Sequence, residues 1–209
     1  MGTRHLIAVV RDGKFKVAQY GQWDGYPSGQ GLYILRFLRS AQENGLDKFK
    51  QQIDKCRFVT GTELNEIYAP FYDAEGYMDM EQHNRFMQSE YSYLSRDTGA
   101  QILKHIANSD SESIALVDAS DFAGDSLHCE WAYVVDLDNE IFEVYEGFND
   151  EGPVPVQNKF AYLNPTEKFE PKYSGQGQYF PCKLRATYTF DHLPSDDEFV
   201  DSLSCCEED

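Results

Sequence analysis

Long apolar runs are missing from this chain of 209 residues. The longest, such as Leu6 to Val10, fall far short of the roughly 20 residues a membrane-spanning helix needs. Grouped bases are missing too: 18 Lys and Arg stand against 36 Asp and Glu, a formal net charge of −18. Phosphate contacts require clustered Lys and Arg, so direct nucleic-acid binding is not expected. The five cysteines (Cys56, Cys129, Cys182, Cys205, Cys206) are an odd number without CxxC spacing. They read as reduced thiols in a cytoplasmic or nuclear setting, not as a disulfide framework. Apart from the adjacent His128-Cys129, the histidines make no pair at ligand spacing with another His or Cys. No metal and no cofactor is expected on that basis. No charged-then-apolar segment opens the chain, so secretion is not expected. Met1-Gly2 lacks the Ser or Thr at position 6 that myristoylation needs, and Cys206 is followed by acids where a prenylation box has aliphatics. The reading is therefore no membrane contact.

What is present fits a folded chain. Hydrophobic residues make up 41% and aromatics 14%, too apolar for disorder. The length suits one domain with a real core. Eight acids and no Lys or Arg follow from Asp191 onward, while the rest holds 28 acids against 18 Lys and Arg, or −10. That asymmetry predicts a single domain over 1–195 and a mobile acidic tail over 196–209, with a helical turn from Asp196 to Leu203 before the end frays.

Two β-prone runs, His5 to Val10 and Lys14 to Tyr20, flank Arg11-Asp12-Gly13, a hairpin signal. Leu32, Leu35, Phe37 and Leu38 then recur at helical spacing up to Asn44-Gly45. A second helix is expected from Leu46 to about Cys56. Thr62 is read as the cap of a helix ending before Pro70, Asp79 to Met87 as a short helix, and Asp97 or Thr98 as the cap of one carrying Ile102, Leu103 and Ile106. Ser113 to Val117 is a strand. Cys129 to Asp136 and Ile141 to Gly147 form a second hairpin, 148–180 a long surface excursion rich in Pro, Gly, Asn and Gln, and Lys183 to Phe190 a last strand. Hairpins bracketing helices predict an α+β fold: a largely antiparallel sheet of five or six strands with helices packed on it.

Four segments carry a resemblance: Met1-Gly2-Thr3-Arg4, the loop from Gln19 to Gly31 (QYGQWDGYPSGQG), Leu94 to Ala100 (LSRDTGA), and Cys129 to Asp138 (CEWAYVVDLD). Together they resemble a family of uncharacterised proteins from filamentous fungi, with shorter phage relatives that carry a Trp-Asp-Gly-Tyr-Pro loop. The resemblance extends to about Phe148. It implies that loop and second hairpin belong to one architecture, and it brings no activity with it.

The loop is the richest candidate site. Trp23 and Tyr26 offer flat surfaces with polar handles, Asp24 an acceptor pair, and Gln22 an amide. Its glycines bare N–H groups at a helix start, where an anion could sit, but their spacing is neither a P-loop nor GxGxxG. Trp23 and Tyr26 are expected to pack on the first helix. Arg96, before a helix, and Glu130, on the opposite strand face from Trp131, complete the candidate pocket. The function read from these residues is binding of a small ligand or partner protein. Two alternatives stay open. Thr3 could serve as the nucleophile of an N-terminal-nucleophile amide hydrolase, although loss of Met1 alone would free the amine of Gly2. The acidic surface could itself be the interaction surface of an inhibitor.

Overall fold

The computed structural model describes residues 2–167 and 177–204. Strands β1 (His5–Arg11) and β2 (Lys14–Gly21) pair antiparallel across a turn in which Asp12 (φ 55°) and Gly13 (φ 68°) are both left-handed. That is the turn an Asp-Gly hairpin favours, because its twist matches the strands. Asp138 reaches across to accept from the N–H groups of Asp12 (3.0 Å) and Gly13 (2.8 Å). The helices α1 (Leu32–Asn44) and α2 (Leu46–Ile53) follow, then β3 (Cys56–Phe58), α3 (Gly61–Tyr68), α4 (Met80–Met87), α5 (Gln101–Ala107) and β4 (Ile114–Leu116). The chain closes with β5 (Trp131–Asp136), β6 (Ile141–Glu146), β7 (Lys183–Thr189) and α6 (Asp196–Ser204).

This is an α+β fold. The main sheet runs β2-β1-β5-β6-β7, and only the central β1–β5 pair is parallel. A separate two-stranded parallel sheet joins β3 and β4. Alternation along the strands divides two cores. Ile7, Val9, Tyr133, Val135, Phe142 and Val144 meet α1, α2, α5 and α6 on one face. Leu6, Ala8, Ala132, Val134 and Tyr145 meet irregular chain on the other. A smaller cluster of Phe71, Phe86 and Leu94 holds α3 and α4. Among the described residues no helix is long and apolar enough to cross a membrane.

Several expectations need correction. Residues 196–204 are not a loose tail: they form α6, which buries Phe199 and Leu203 in the helix-side core. Ser195 and Glu198 cap each other reciprocally, the Ser195 N–H donating to Glu198 Oε2 at 2.8 Å and the Glu198 N–H to Ser195 Oγ at 3.3 Å. Asp196 binds Arg36 and Arg39 of α1, at 2.6 and 2.8 Å. Residues 205–209, including Cys205 and Cys206, lie outside the described residues. The 148–180 excursion is not simply surface chain, because it buries Asn149, Val154, Asn158 and Phe160. Thr60, not Thr62, caps α3, accepting from the Glu63 N–H. Helix α5 has no Asp97 or Thr98 cap; Gln30 Oε1 accepts from the Ala100 N–H at 2.7 Å instead.

Candidate functional site

Residues 22–31 leave β2 and are held by three other segments: Thr3, β5 and the stretch from Arg96 to Ala100. The Gln22 N–H donates to the Arg96 carbonyl and the Gly25 N–H to the Thr3 carbonyl, both at 3.0 Å. Tyr133 of β5 donates its hydroxyl to the Gly25 carbonyl at 2.7 Å. The Trp23 indole N–H donates to Asp97 Oδ1 at 2.8 Å, and Gln30 links the loop to the start of α5. A single π-type turn, Pro27–Gly31, feeds directly into α1. The loop is therefore tied down by backbone bonds and by the Trp23 and Gln30 side chains.

That exposure is the main departure from the sequence reading. Trp23 and Tyr26 are 48% and 54% exposed, so neither is a core residue packed on α1. Asp24 sits at φ 57°, a left-handed conformation Asp tolerates better than most residues. Its carboxylate and the Arg96 side chain are exposed and make no hydrogen bond or ion pair among the described residues. Gln22 Oε1 accepts from the Tyr20 hydroxyl at 2.6 Å. Glu130 Oε1 lies 3.4 Å from the Arg4 N–H, and the Glu130 N–H donates to the Arg4 carbonyl. The fold thus brings Gln22, Trp23, Asp24, Tyr26, Arg96 and Glu130 to one end of the sheet, but they line an open surface.

Thr3 lies beneath this surface and is buried. Its carbonyl holds Gly25, and the preceding Gly2 is covered by Trp23: a Cβ built on Gly2 would come within 2.2 Å of the indole. An N-terminal nucleophile needs a free, accessible amine on residue 3, and no feature here supplies that access.

His5, two residues on, is fully buried under Gly21 and Gly25, where any side chain would collide with the imidazole. Burial pushes its pKa down to about 4, against smaller opposing effects from the Thr3 carbonyl and the Asp24 charge. The ring is therefore neutral at pH 7. Its Nδ1 lies 3.5 Å from the Thr3 carbonyl, and Nε2 has no hydrogen-bond partner.

Two groups escaped the sequence reading. Phe148 takes a left-handed backbone (φ 51°) and is 53% exposed. It reaches the same end of the sheet, because Gly147 bonds to Glu130 and Glu130 to Arg4. A bulky residue in that conformation is strained, and nothing in its residue type signals it.

The second group lies at the far end of the sheet, where β5 and β6 turn. Lys159, from the excursion, places Nζ 2.7 Å from Asp136 Oδ2 and 3.2 Å from Glu143 Oε2. The Glu143 contact is an ion pair by distance without hydrogen-bond alignment. Burial opposes both charges, yet the Lys159 ammonium and Asn139 hold Asp136 below the usual carboxylate range. Lys159 is raised in turn. A raised lysine is a fixed cation and a poor nucleophile, so this cluster reads as an anchor for the excursion.

Comparison with protein-family models, with curated proteins and with solved structures finds no match.

Proposed function

We propose that the protein is a binding module whose recognition surface is the Trp-Asp-Gly-Tyr-Pro loop, and that its ligand is a partner protein. One observation carries this reading: Trp23 and Tyr26 are half exposed on a loop that three other segments tie down. A surface aromatic on a fixed scaffold loses little entropy on binding, which is why Trp and Tyr dominate interface anchors. Phe148 adds a third exposed ring at this end, and Arg96, Asp24 and Glu130 supply charges of both signs at its margin. Side chains as exposed as Trp23, Tyr26 and Phe148 suit a partner surface better than a small molecule, which would need an enclosing cleft.

The test uses three variants. Asp24→Asn keeps the left-handed turn, since Asn tolerates it equally, and changes stability by no more than about 0.5 kcal/mol. Trp23→Ala removes a half-exposed ring and one hydrogen bond, costing about 1–2 kcal/mol, well below a core deletion. Tyr26→Ala costs less. A partner captured by the native protein is expected to be lost by all three folded variants, with direct titration of the purified partner showing at least a tenfold weaker Kd. Unchanged capture by Trp23→Ala and Tyr26→Ala refutes the proposal.

A further inference from the structure

Helices α1, α2 and α5 leave a cleft of about 510 Å³ between them, on the helix-covered side of the sheet. Its apolar wall is aromatic: Phe37 meets Phe49 edge to face, with ring centroids 4.9 Å apart, and Tyr33 stands beside them. Arg36, Lys48 and Lys104 stand around this wall, and no Asp or Glu lines the cleft. That is unusual on this molecule. Three other clefts each include carboxylates: Glu63, Glu66 and Glu90 in one, Asp97 in another, and Asp118, Asp136 and Asp138 in the third.

The charges at this rim are largely uncommitted. Arg36 shares its guanidinium with Asp196 at 2.6 Å. Lys48 and Lys104 are exposed and make no ion pair among the described residues. Lys104 stands in the last turn of α5 and Lys48 in the first turn of α2. Phe49 is buried, so the cleft's base is fixed.

We infer that this cleft binds a small organic anion with an aromatic or otherwise apolar body. The body lies against Tyr33 and Phe37, above the buried Phe49, and the carboxylate, sulfonate or phosphate lies between Lys48 and Lys104. Charge complementarity selects that class. On a chain of net charge −18 an anion is repelled by most of the surface and held only where bases gather without acids. A cation gains nothing from this rim, and an uncharged ring gains only the apolar wall. A volume of this size falls in the range of ordinary small-molecule sites. The site is separate from the Trp-Asp-Gly-Tyr-Pro loop and does not rest on that reading.

The probe is 8-anilinonaphthalene-1-sulfonate, whose fluorescence rises in apolar surroundings, titrated into the full chain. Saturable binding at one site is expected. It weakens at least about fivefold when salt rises from about 50 to about 500 mM. It weakens at least as much in the double variant Lys48→Glu, Lys104→Glu, checked for folding by circular dichroism. Ala41→Trp, which fills the cleft, abolishes it, and Trp23→Ala leaves it unchanged. Uncharged N-phenyl-1-naphthylamine binds at least about fivefold more weakly. Equal affinity for the folded charge-reversal variant, equal affinity for the uncharged probe, or loss of binding only when exposed Tyr77 and Met80 are replaced by Ser would each overturn the inference.

Discussion

Replacing Lys159 by Met deletes one ammonium and leaves two carboxylates behind. Asp136 is 1% exposed and Glu143 7%, so both charges stay out of water. Met conserves most of the apolar stem, which makes the change mainly electrostatic. Breaking a buried pair costs about 3–5 kcal/mol, because the surviving charge is uncompensated. Here the lower part of that range applies. Asp136 keeps bonds from the Asp138 and Asn139 N–H groups at 3.0 and 2.9 Å and from the Asn139 amide at 2.9 Å. The expected loss is about 3 kcal/mol at pH 7, or roughly 6–12 °C in Tm for a chain of this length. Urea unfolding reads it as a lower midpoint at unchanged slope. The pH dependence has a definite sign. Asp136 is depressed in the native state, so it stabilises above its unfolded pKa, and that contribution fades as pH falls through the folded value. In the variant the depressing ammonium is gone and burial is left to oppose the Asp136 charge, so acid relieves the penalty. The gap between the two proteins therefore narrows from pH 7 towards pH 4. Adding Glu143→Gln to Lys159→Met is expected to recover part of the loss. A penalty below about 1 kcal/mol, or one that widens in acid, refutes the reasoning.

Truncation after Pro194, or Phe199→Ala alone, is expected to cost at least about 3 kcal/mol by thermal unfolding, because Phe199 is buried and stacks on Phe142 at 5.8 Å; a change below about 1 kcal/mol would contradict the docking of α6. His5 titrates near 4 when folded and near 6.5 when unfolded, so the unfolded chain protonates first; its contribution is complete above about pH 7 and declines by about 3 kcal/mol towards pH 4. A His5→Asn variant is expected to show a flatter stability profile over that window, and an equally steep one would refute the neutral His5. Cys56, Cys129 and Cys182 are buried, and burial raises the thiols of Cys56 and Cys129, so all three are expected to resist a thiol reagent until urea is added. Rapid labelling of any of them in the native protein would show that the segment covering it opens.

The hairpins were legible because their information is local. Asp12-Gly13 permits the one turn that returns β2 along β1, and period-two alternation sorts the residues of β5 onto its two faces, both of which are buried. The parallel pairing of β1 with β5 was not legible. It joins residues more than a hundred positions apart, and only β1's burial on both faces hints at a central strand. Helix α6 was legible in part, as a helical turn over Asp196 to Leu203. Ser195 and Glu198 make the S-x-x-E capping pattern, with Phe199 and Leu203 one turn apart, but the run of acids concealed an amphipathic helix. Lys159 was unreadable for another reason: the residue that neutralises Asp136 lies in a segment of loop composition. The candidate loop residues were legible as a group, since the fold does gather them. Their exposure was not, because whether a Trp anchors a core or an interface depends on which side of its backbone the sheet lies.

That geometry also explains why one short loop carries four glycines. Gly25 approaches the Thr3 carbonyl and the His5 ring so closely that a Cβ would stand 2.7–2.9 Å from them. A Cβ on Gly29 would stand 2.4 Å from the Asp24 carbonyl, and one on Gly31 about 3 Å from Tyr133 and Phe199. The inner side of the loop is thus packed backbone to core, with no room for side chains. Every large side chain between Gln22 and Tyr26 must point outward, and the loop presents Trp23 and Tyr26 because its inner face is full. Phe199 of α6 closes that inner face at Gly31, so the helix that looked like a tail supports the recognition surface. Loss of α6 is therefore expected to weaken partner binding as well as stability, whereas Trp23→Ala weakens binding while the fold persists. A truncated chain that stays folded and still binds the same partner with native affinity would show that the loop holds its shape without this support.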